Sequence, residues 1–355
     1  MSKFLSQKYA SLIPYTPGEQ PRDMQYIKLN TNESPYPPSP SVKKAVSEQA
    51  NLLQLYSDPT NQKLINKLAE VYCVQPEQVI VTNGSDEVLY FAFLAFADES
   101  RPLCFPDITY GFYSVFADLC GIPYEKIPLQ NDFSIAVSDY FDKHKTIVIA
   151  NPNAPTGLAL TLEQIELIVK HNSDHVVIID EAYVDFGAQS AVSLVNRYDN
   201  LLVTQTFSKS RSMAGARLGF AIGHKDLITD LHAIRCSVNP YNVNRMTAEA
   251  GYAALCENEY YMQNCKTIMQ TREMTAKELH ARGFEVLPSQ TNFLFVRTDR
   301  ISGLSLYQKL RERGILVRHF SGERIADYNR ITVGTPNQMQ TLIKTIDIIL
   351  EDNVK

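Results

Sequence analysis

The sequence predicts an α/β protein of the open-sheet class, followed by a smaller α+β unit. Two observations carry this. Short, nearly continuous apolar runs alternate with segments of helical period, and several of the runs are followed by polar turns. Strands that are apolar at every position are buried on both faces, as in a parallel or mixed sheet between layers of helices. The chain has 355 residues, 45% of them hydrophobic and 21% charged. It can therefore bury a large core, and one large domain with a smaller one is the natural division.

In chain order, Pro35, Pro37, Pro38 and Pro40 surround Tyr36, so the N-terminal stretch should be an extended arm. Strands are expected at residues 79–82, 146–150, 176–179, 201–206 and 218–222, with crossover helices at 86–97, 162–171 and 225–235. From Asn244 the texture changes: a long helical stretch over 259–282 precedes short segments at 292–296, 304–313, 315–317, 330–333 and 338–350. The expected division is residues 1–45 as an arm with part of the small domain, 46–260 as the large domain and 261–355 as the small C-terminal domain.

Composition excludes several functions. A net charge of −5 with interspersed signs offers no basic stripe for nucleic acid. The N-terminus lacks a signal-peptide core, and no stretch approaches the roughly 20 apolar residues of a membrane span. The six cysteines form no Cys-x-x-Cys pair, which points to reduced thiols in a cytoplasmic protein. His171 and His175 have i, i+4 spacing, but Asn172-Ser173-Asp174 between them reads as a connection, so no metal is expected.

The chemistry gathers where the apolar runs end, the edge at which open α/β sheets place ligands. Lys209 lies in Ser208-Lys209-Ser210-Arg211-Ser212-Met213-Ala214-Gly215-Ala216-Arg217, just past the run 201–206. An amine at a strand end, with hydroxyls and an arginine beside it, suits Schiff-base chemistry with a carbonyl; a surface lysine in a Ser-rich loop is the plainer reading. Asn83-Gly84-Ser85-Asp86-Glu87 opens a helix and offers either an anion cradle of free amides or an ordinary N-cap. Asn151-Pro152-Asn153-Ala154-Pro155-Thr156-Gly157 is a constrained turn with amide donors. Asp180-Glu181 ends a buried strand, with Tyr183 three residues beyond Asp180. A carboxylate there needs a cation or several donors; a protonated ring nitrogen would serve, as would a helix cap or magnesium. Gly-x-x-x-x-Gly-Lys-Ser/Thr and Gly-x-Gly-x-x-Gly motifs are both absent, which argues against nucleotide and dinucleotide chemistry.

Taken in order, Asn-Gly-Ser-Asp-Glu at 83–87, Pro-Asn-Ala-Pro-Thr-Gly at 152–157, Asp-Glu-Ala-Tyr at 180–183 and Ser-Lys-Ser-Arg-Ser-Met-Ala-Gly-Ala-Arg-Leu-Gly at 208–219 resemble the fold-type-I, pyridoxal-phosphate-dependent aminotransferases over essentially the whole chain. Within them, residues 29–35, 55–58, 109–114 and 330–335 resemble the histidinol-phosphate aminotransferases. The resemblance implies a large cofactor domain with a mainly parallel mixed sheet, a smaller α+β domain, and pyridoxal 5′-phosphate as cofactor. It makes Lys209 the cofactor-bonding and proton-shuttling amine, Asp180 the partner of the ring nitrogen and Tyr183 a donor to the ring's phenolic oxygen. Tyr110 would stack on the ring, Asn153 would lie beside it, and Ser85, Asp86, Thr206, Ser208 and Arg217 would hold the phosphate. Tyr56 would reach that phosphate from the partner subunit of a homodimer. Arg330 and Arg318 would receive the anionic end of the substrate, with Tyr15 and Asn32 in an arm over the site.

One departure stands out: many members carry asparagine immediately before Pro-Thr-Gly, where its amide contacts the ring's phenolic oxygen, whereas this chain has Ala154; the resemblance leaves that contact to Asn153 or Asn151 through a shifted loop, or to Tyr183 alone. The implied reaction is amino transfer between L-histidinol phosphate and 2-oxoglutarate in histidine biosynthesis. The alternatives are an aromatic amino-acid aminotransferase, an amino-acid phosphate decarboxylase and a non-catalytic cofactor-binding module.

Overall fold

The computed structural model describes residues 2–352. β1 (Ile27–Lys28) precedes α1 (Pro40–Ala50) and α2 (Gln62–Tyr72). The central region runs β2 (Val79–Thr82), α3 (Ser85–Phe96), β3 (Leu103–Pro106), α4 (Phe112–Cys120), β4 (Tyr124–Ile127) and β5 (Thr146–Ala150). It continues with α5 (Leu162–Lys170), β6 (Val177–Asp180), β7 (Leu201–Thr206), β8 (Gly219–Gly223) and α6 (Lys225–Val238). After α7 (Arg245–Cys256) and α8 (Asn258–His280) come β9 (Glu285–Val286), β10 (Phe293–Arg297), α9 (Gly303–Glu312), β11 (Ile315–Leu316), β12 (Arg318–His319), β13 (Asn329–Thr332) and α10 (Pro336–Asp352).

The large sheet has seven strands in the order β2-β8-β7-β6-β5-β3-β4. Neighbours from β4 through β7 pair parallel, and β8 alone is reversed, antiparallel to both β7 and β2. Its central strands are largely apolar because alternate residues feed two cores. Ile147, Ile149, Val177, Ile179, Leu201 and Val203 face one core, whereas Val148, Ile178 and Leu202 face the other, against α3 and α6. Each such side chain contributes about 1.5–3 kcal/mol by leaving water. A polar residue in the middle of these strands would therefore be costly, so the polar groups collect at the strand ends.

A second, antiparallel sheet of order β12-β13-β10-β9 packs with α9, α10 and the later part of α8 on its own core. α8 takes part in both cores: Tyr261 belongs to the first and Cys265 to the second. β1 pairs parallel with β11, placing the N-terminal arm on this smaller unit.

Several expected bounds shift. β6 ends on Asp180 rather than Ile179, and β8 runs from Gly219 to Gly223. β3 and β4 were not expected: the first is four residues ending in proline, and the second is a polar strand at the sheet edge, so neither shows a clear period. Pro40 starts α1 instead of extending the arm, at a helix position where its missing N–H costs nothing. The six cysteines are free. Among the described residues, no helix is long and apolar enough to cross a membrane.

Candidate active site

At the carboxyl ends of β2, β5, β6 and β7 the structure opens a cavity of about 480 Å³. Lys209, Asp180, Tyr183, Tyr110, Ser85 and Asp86 line it together with Thr206, Ser208 and Arg217. A second cavity of about 310 Å³ shares Lys209, Tyr110, Tyr183 and Ala154 with the first and adds Tyr15, Asn32, Arg318 and Arg330. Thus thirteen of the fifteen residues singled out in the sequence meet in two adjoining spaces.

Asp180 is the last residue of β6, paired in register with Ala150 and Thr204. Burial pushes its carboxyl up to about 6. Two donors act against that: the Tyr113 hydroxyl at 2.8 Å on Oδ2 and the Ala182 amide at 3.3 Å on Oδ1. Neither donor is a cation, so the carboxylate suits a ligand that brings positive charge. Tyr113 was not anticipated. The signal was its position three residues after Tyr110, the spacing that lets α4 carry it under the first ring.

The other end of the cavity is built for an anion. Gly84, at φ +79°, precedes α3 and makes no side-chain cap, leaving the first amides of the helix as donors. Arg217 closes this end: Nη2 donates to Asp86 Oδ2 at 2.9 Å and Nη1 to Ser208 Oγ at 3.4 Å. Asp86 also accepts from the Tyr110 hydroxyl at 2.9 Å, tying the aromatic ring to the same anchor. Thr206 Oγ1 accepts from the Ser208 amide at 3.1 Å, fixing the turn just before Lys209. Lys209 Nζ donates to the Thr31 carbonyl of the arm at 3.1 Å.

In the second cavity, Arg330 lies on β13 and Arg318 on β12, paired directly across the strands. Phe320 sits between them, its ring centre 5.8 Å from the Arg318 guanidinium carbon and 5.7 Å from that of Arg330. Arg330 donates from Nη2 to the Asn30 carbonyl at 3.1 Å, while its buried Nε has no partner among the described residues. Burial works against its charge. An anionic ligand would supply both the missing partner and the countercharge. Tyr15 stacks on Phe112 at 4.3 Å and meets Tyr110 edge-on.

Two anticipated residues lie elsewhere. The Asn153 amide donates to the Ile108 carbonyl and Thr156 Oγ1 and accepts from Thr109. It is committed to the turn, whose residues facing the cavities are Ala154, with a methyl, and Pro155, neither of which brings a side-chain donor. Tyr56 is 80% exposed and stacks on Tyr241, away from both spaces of its own chain. The one His/Cys/Asp/Glu group within metal-binding reach among the described residues is His144, Asp174 and His175. It lies by the amino ends of β5 and β6, at the edge opposite the site.

An amine, a buried carboxylate awaiting a cation and an anion cradle around one cavity fit a phosphorylated carbonyl compound with a basic ring nitrogen. Fold and site thus define a pyridoxal 5′-phosphate-dependent aminotransferase. The chain belongs to the aminotransferase class I and II family, whose model matches residues 24–346. It is 49% identical over 354 residues to a histidinol-phosphate aminotransferase of Brachyspira hyodysenteriae, covering 99% of this chain and 100% of the relative. A relative of the same name from Clostridium beijerinckii is 45% identical over 356 residues, covering 100% and 99%. In fold, the chain is similar to the crystal structure of histidinol-phosphate aminotransferase from Sinorhizobium meliloti in complex with pyridoxal 5′-phosphate, with TM-score 0.85, 22% identity and 92% of each chain covered.

Proposed function

We propose that the protein transfers an amino group reversibly between L-histidinol phosphate and 2-oxoglutarate, giving 3-(imidazol-4-yl)-2-oxopropyl phosphate and L-glutamate, in cytoplasmic histidine biosynthesis. The observation that carries the proposal is the joining of the Lys209–Asp180 cavity to a second space holding Arg318 and Arg330. Both the phosphate of one substrate and a carboxylate of the other can be received by the same guanidinium. The names of the relatives support the choice of substrate.

When bound, pyridoxal 5′-phosphate supplies a carbonyl that takes up an amino group and a ring that accepts the electron pair of the substrate Cα–H bond. The chain's residues do the rest. Lys209 Nζ would anchor the cofactor and, as a free amine, would hold and move the substrate Cα proton. Asp180 holds a proton on the ring nitrogen, with Tyr113 keeping the carboxylate in its charged form. Tyr183 would donate to the ring oxygen and Tyr110, which lines the same cavity, would pack against the ring. Arg217, Ser208, Thr206 and the amides of Ser85 and Asp86 hold the phosphate, joined by Tyr56 of the partner subunit. Arg330 and Arg318 take the anionic end of the substrate under Tyr15 and Asn32, and Asn153 acts at one remove by fixing the turn that presents Ala154. The division into two domains, with the seam near residue 260 in α8, is supported by the change of core between Tyr261 and Cys265.

Purified protein is expected to show visible absorption from bound cofactor, lost in Lys209→Ala. Retention of that absorption in the variant would reject the role of Lys209. A substrate panel tests the rest: turnover of phenylalanine without turnover of histidinol phosphate would assign the aromatic alternative instead.

A further inference from the structure

Asn32 is 1% exposed, has φ +56° and is fixed by three hydrogen bonds apart from the one that concerns Tyr183. Its amide donates to Thr332 Oγ1 at 3.0 Å, its carbonyl accepts from Asn292 Nδ2 at 2.9 Å, and its Oδ1 accepts from the Thr332 hydroxyl at 2.9 Å. The last bond sets the orientation of the side chain. Turning the amide over would leave the buried Thr332 hydroxyl without an acceptor, because Oδ1 of Asn32 is the one it has. Nδ2 therefore faces Tyr183 and donates to its Oη at 2.9 Å.

A phenol that accepts from one side keeps its single proton for the other. For Tyr183, that other side is the space it shares with Lys209 and the Ala154 methyl. We propose that Asn32 is a positioning residue for the cofactor: its amide fixes the Tyr183 hydroxyl as a donor aimed at the ring oxygen. This contact does through Tyr183 what a side-chain amide at position 154 would do directly. It also couples the arm to the site, since residue 31 holds Lys209 and residue 32 holds Tyr183.

The proposal rests on the cofactor reading above, and its test separates the two. A donor on the ring oxygen withdraws charge from it and lowers the basicity of the conjugated nitrogen, so a weakened donor raises the pH midpoint of the bound cofactor's visible absorption. Asn32→Asp keeps the shape but replaces the donor facing Tyr183 by an acceptor, drawing the phenol proton away from the ring. The midpoint should rise by about 0.5–1 unit in Asn32→Asp and in Asn32→Ala. In a Tyr183→Phe background, Asn32→Ala should add nothing. A coloured Asn32→Asp protein with the parent midpoint would overturn the proposal, as would a rise in KM without a spectral change, which places Asn32 on the substrate. Neither result touches the role of Lys209, whose failure shows instead as colour retained in Lys209→Ala.

Discussion

Asp180 and Glu181 end the same buried strand, yet their surroundings differ. Glu181 is pushed up to about 7 by burial, but Ser190, the Ala191 amide and Gln205 satisfy it with three donors at 2.6–2.8 Å. It is a structural carboxylate facing away from the cavity. Asp180 has two donors and opens onto the cavity. In the unfolded chain its pKa is the ordinary 3.8, and in the folded chain it is about 6. Between these values the folded, cofactor-free protein holds a proton that the unfolded chain releases, so stability falls as pH rises from about 4 to 6. Asp180→Asn should remove that part of the fall, on the order of 2–3 kcal/mol. Thermal midpoints of the cofactor-free proteins at pH 4.5 and 6.5 check it: the drop should be smaller in the variant, and equal drops would refute the assignment.

At the scale of elements, the anion cradle depends on how closely β8 approaches the start of α3. A Cβ built on Gly219 would lie 2.3 Å from the Ser85 amide nitrogen and 2.4 Å from the Gly84 carbonyl carbon. These are backbone atoms and cannot step aside. Gly219→Ala should displace the first turn of α3 and lower cofactor affinity by at least about tenfold, the effect of losing one charge-assisted contact, as read by cofactor titration. Unchanged affinity would show that the amides of Ser85 and Asp86 do not hold the phosphate. The elements bearing the site were legible because β2, β5 and the first half of β7 are apolar runs followed by polar residues. β4 was not: its sequence Tyr-Glu-Lys-Ile is exposed on the sheet edge, where burial imposes no pattern. The one-residue shift of β6 matters more, because it makes Asp180 a strand residue with fixed backbone pairing rather than the start of a loop.

For the whole molecule, the segment holding Tyr56 stands out. Leu53, Leu55 and Tyr56 are 59%, 56% and 80% exposed, and Tyr56 stacks on the half-exposed Tyr241. Apolar side chains gathered on a surface mark an interaction site, and this one lies away from its own chain's cavities. The proposed homodimer buries it and delivers Tyr56 of the partner subunit to the phosphate. Light scattering should give twice the chain mass, and Tyr56→Phe should weaken cofactor retention. A monomer with full activity would refute both.

By itself the sequence determined the α/β class and the order of the chemical motifs, and it singled out Lys209, Asp180 and Arg217 as candidates, because apolar runs, turn residues and short motifs at strand ends are local patterns. Only the tertiary structure decided what those residues meet. It spent Asn153 on its own turn, brought Tyr113 under Asp180, set Phe320 between two arginines and laid Asn32 against Tyr183 across 151 positions of chain. Contacts of that kind are made by packing between distant elements, and no spacing within a single segment encodes them.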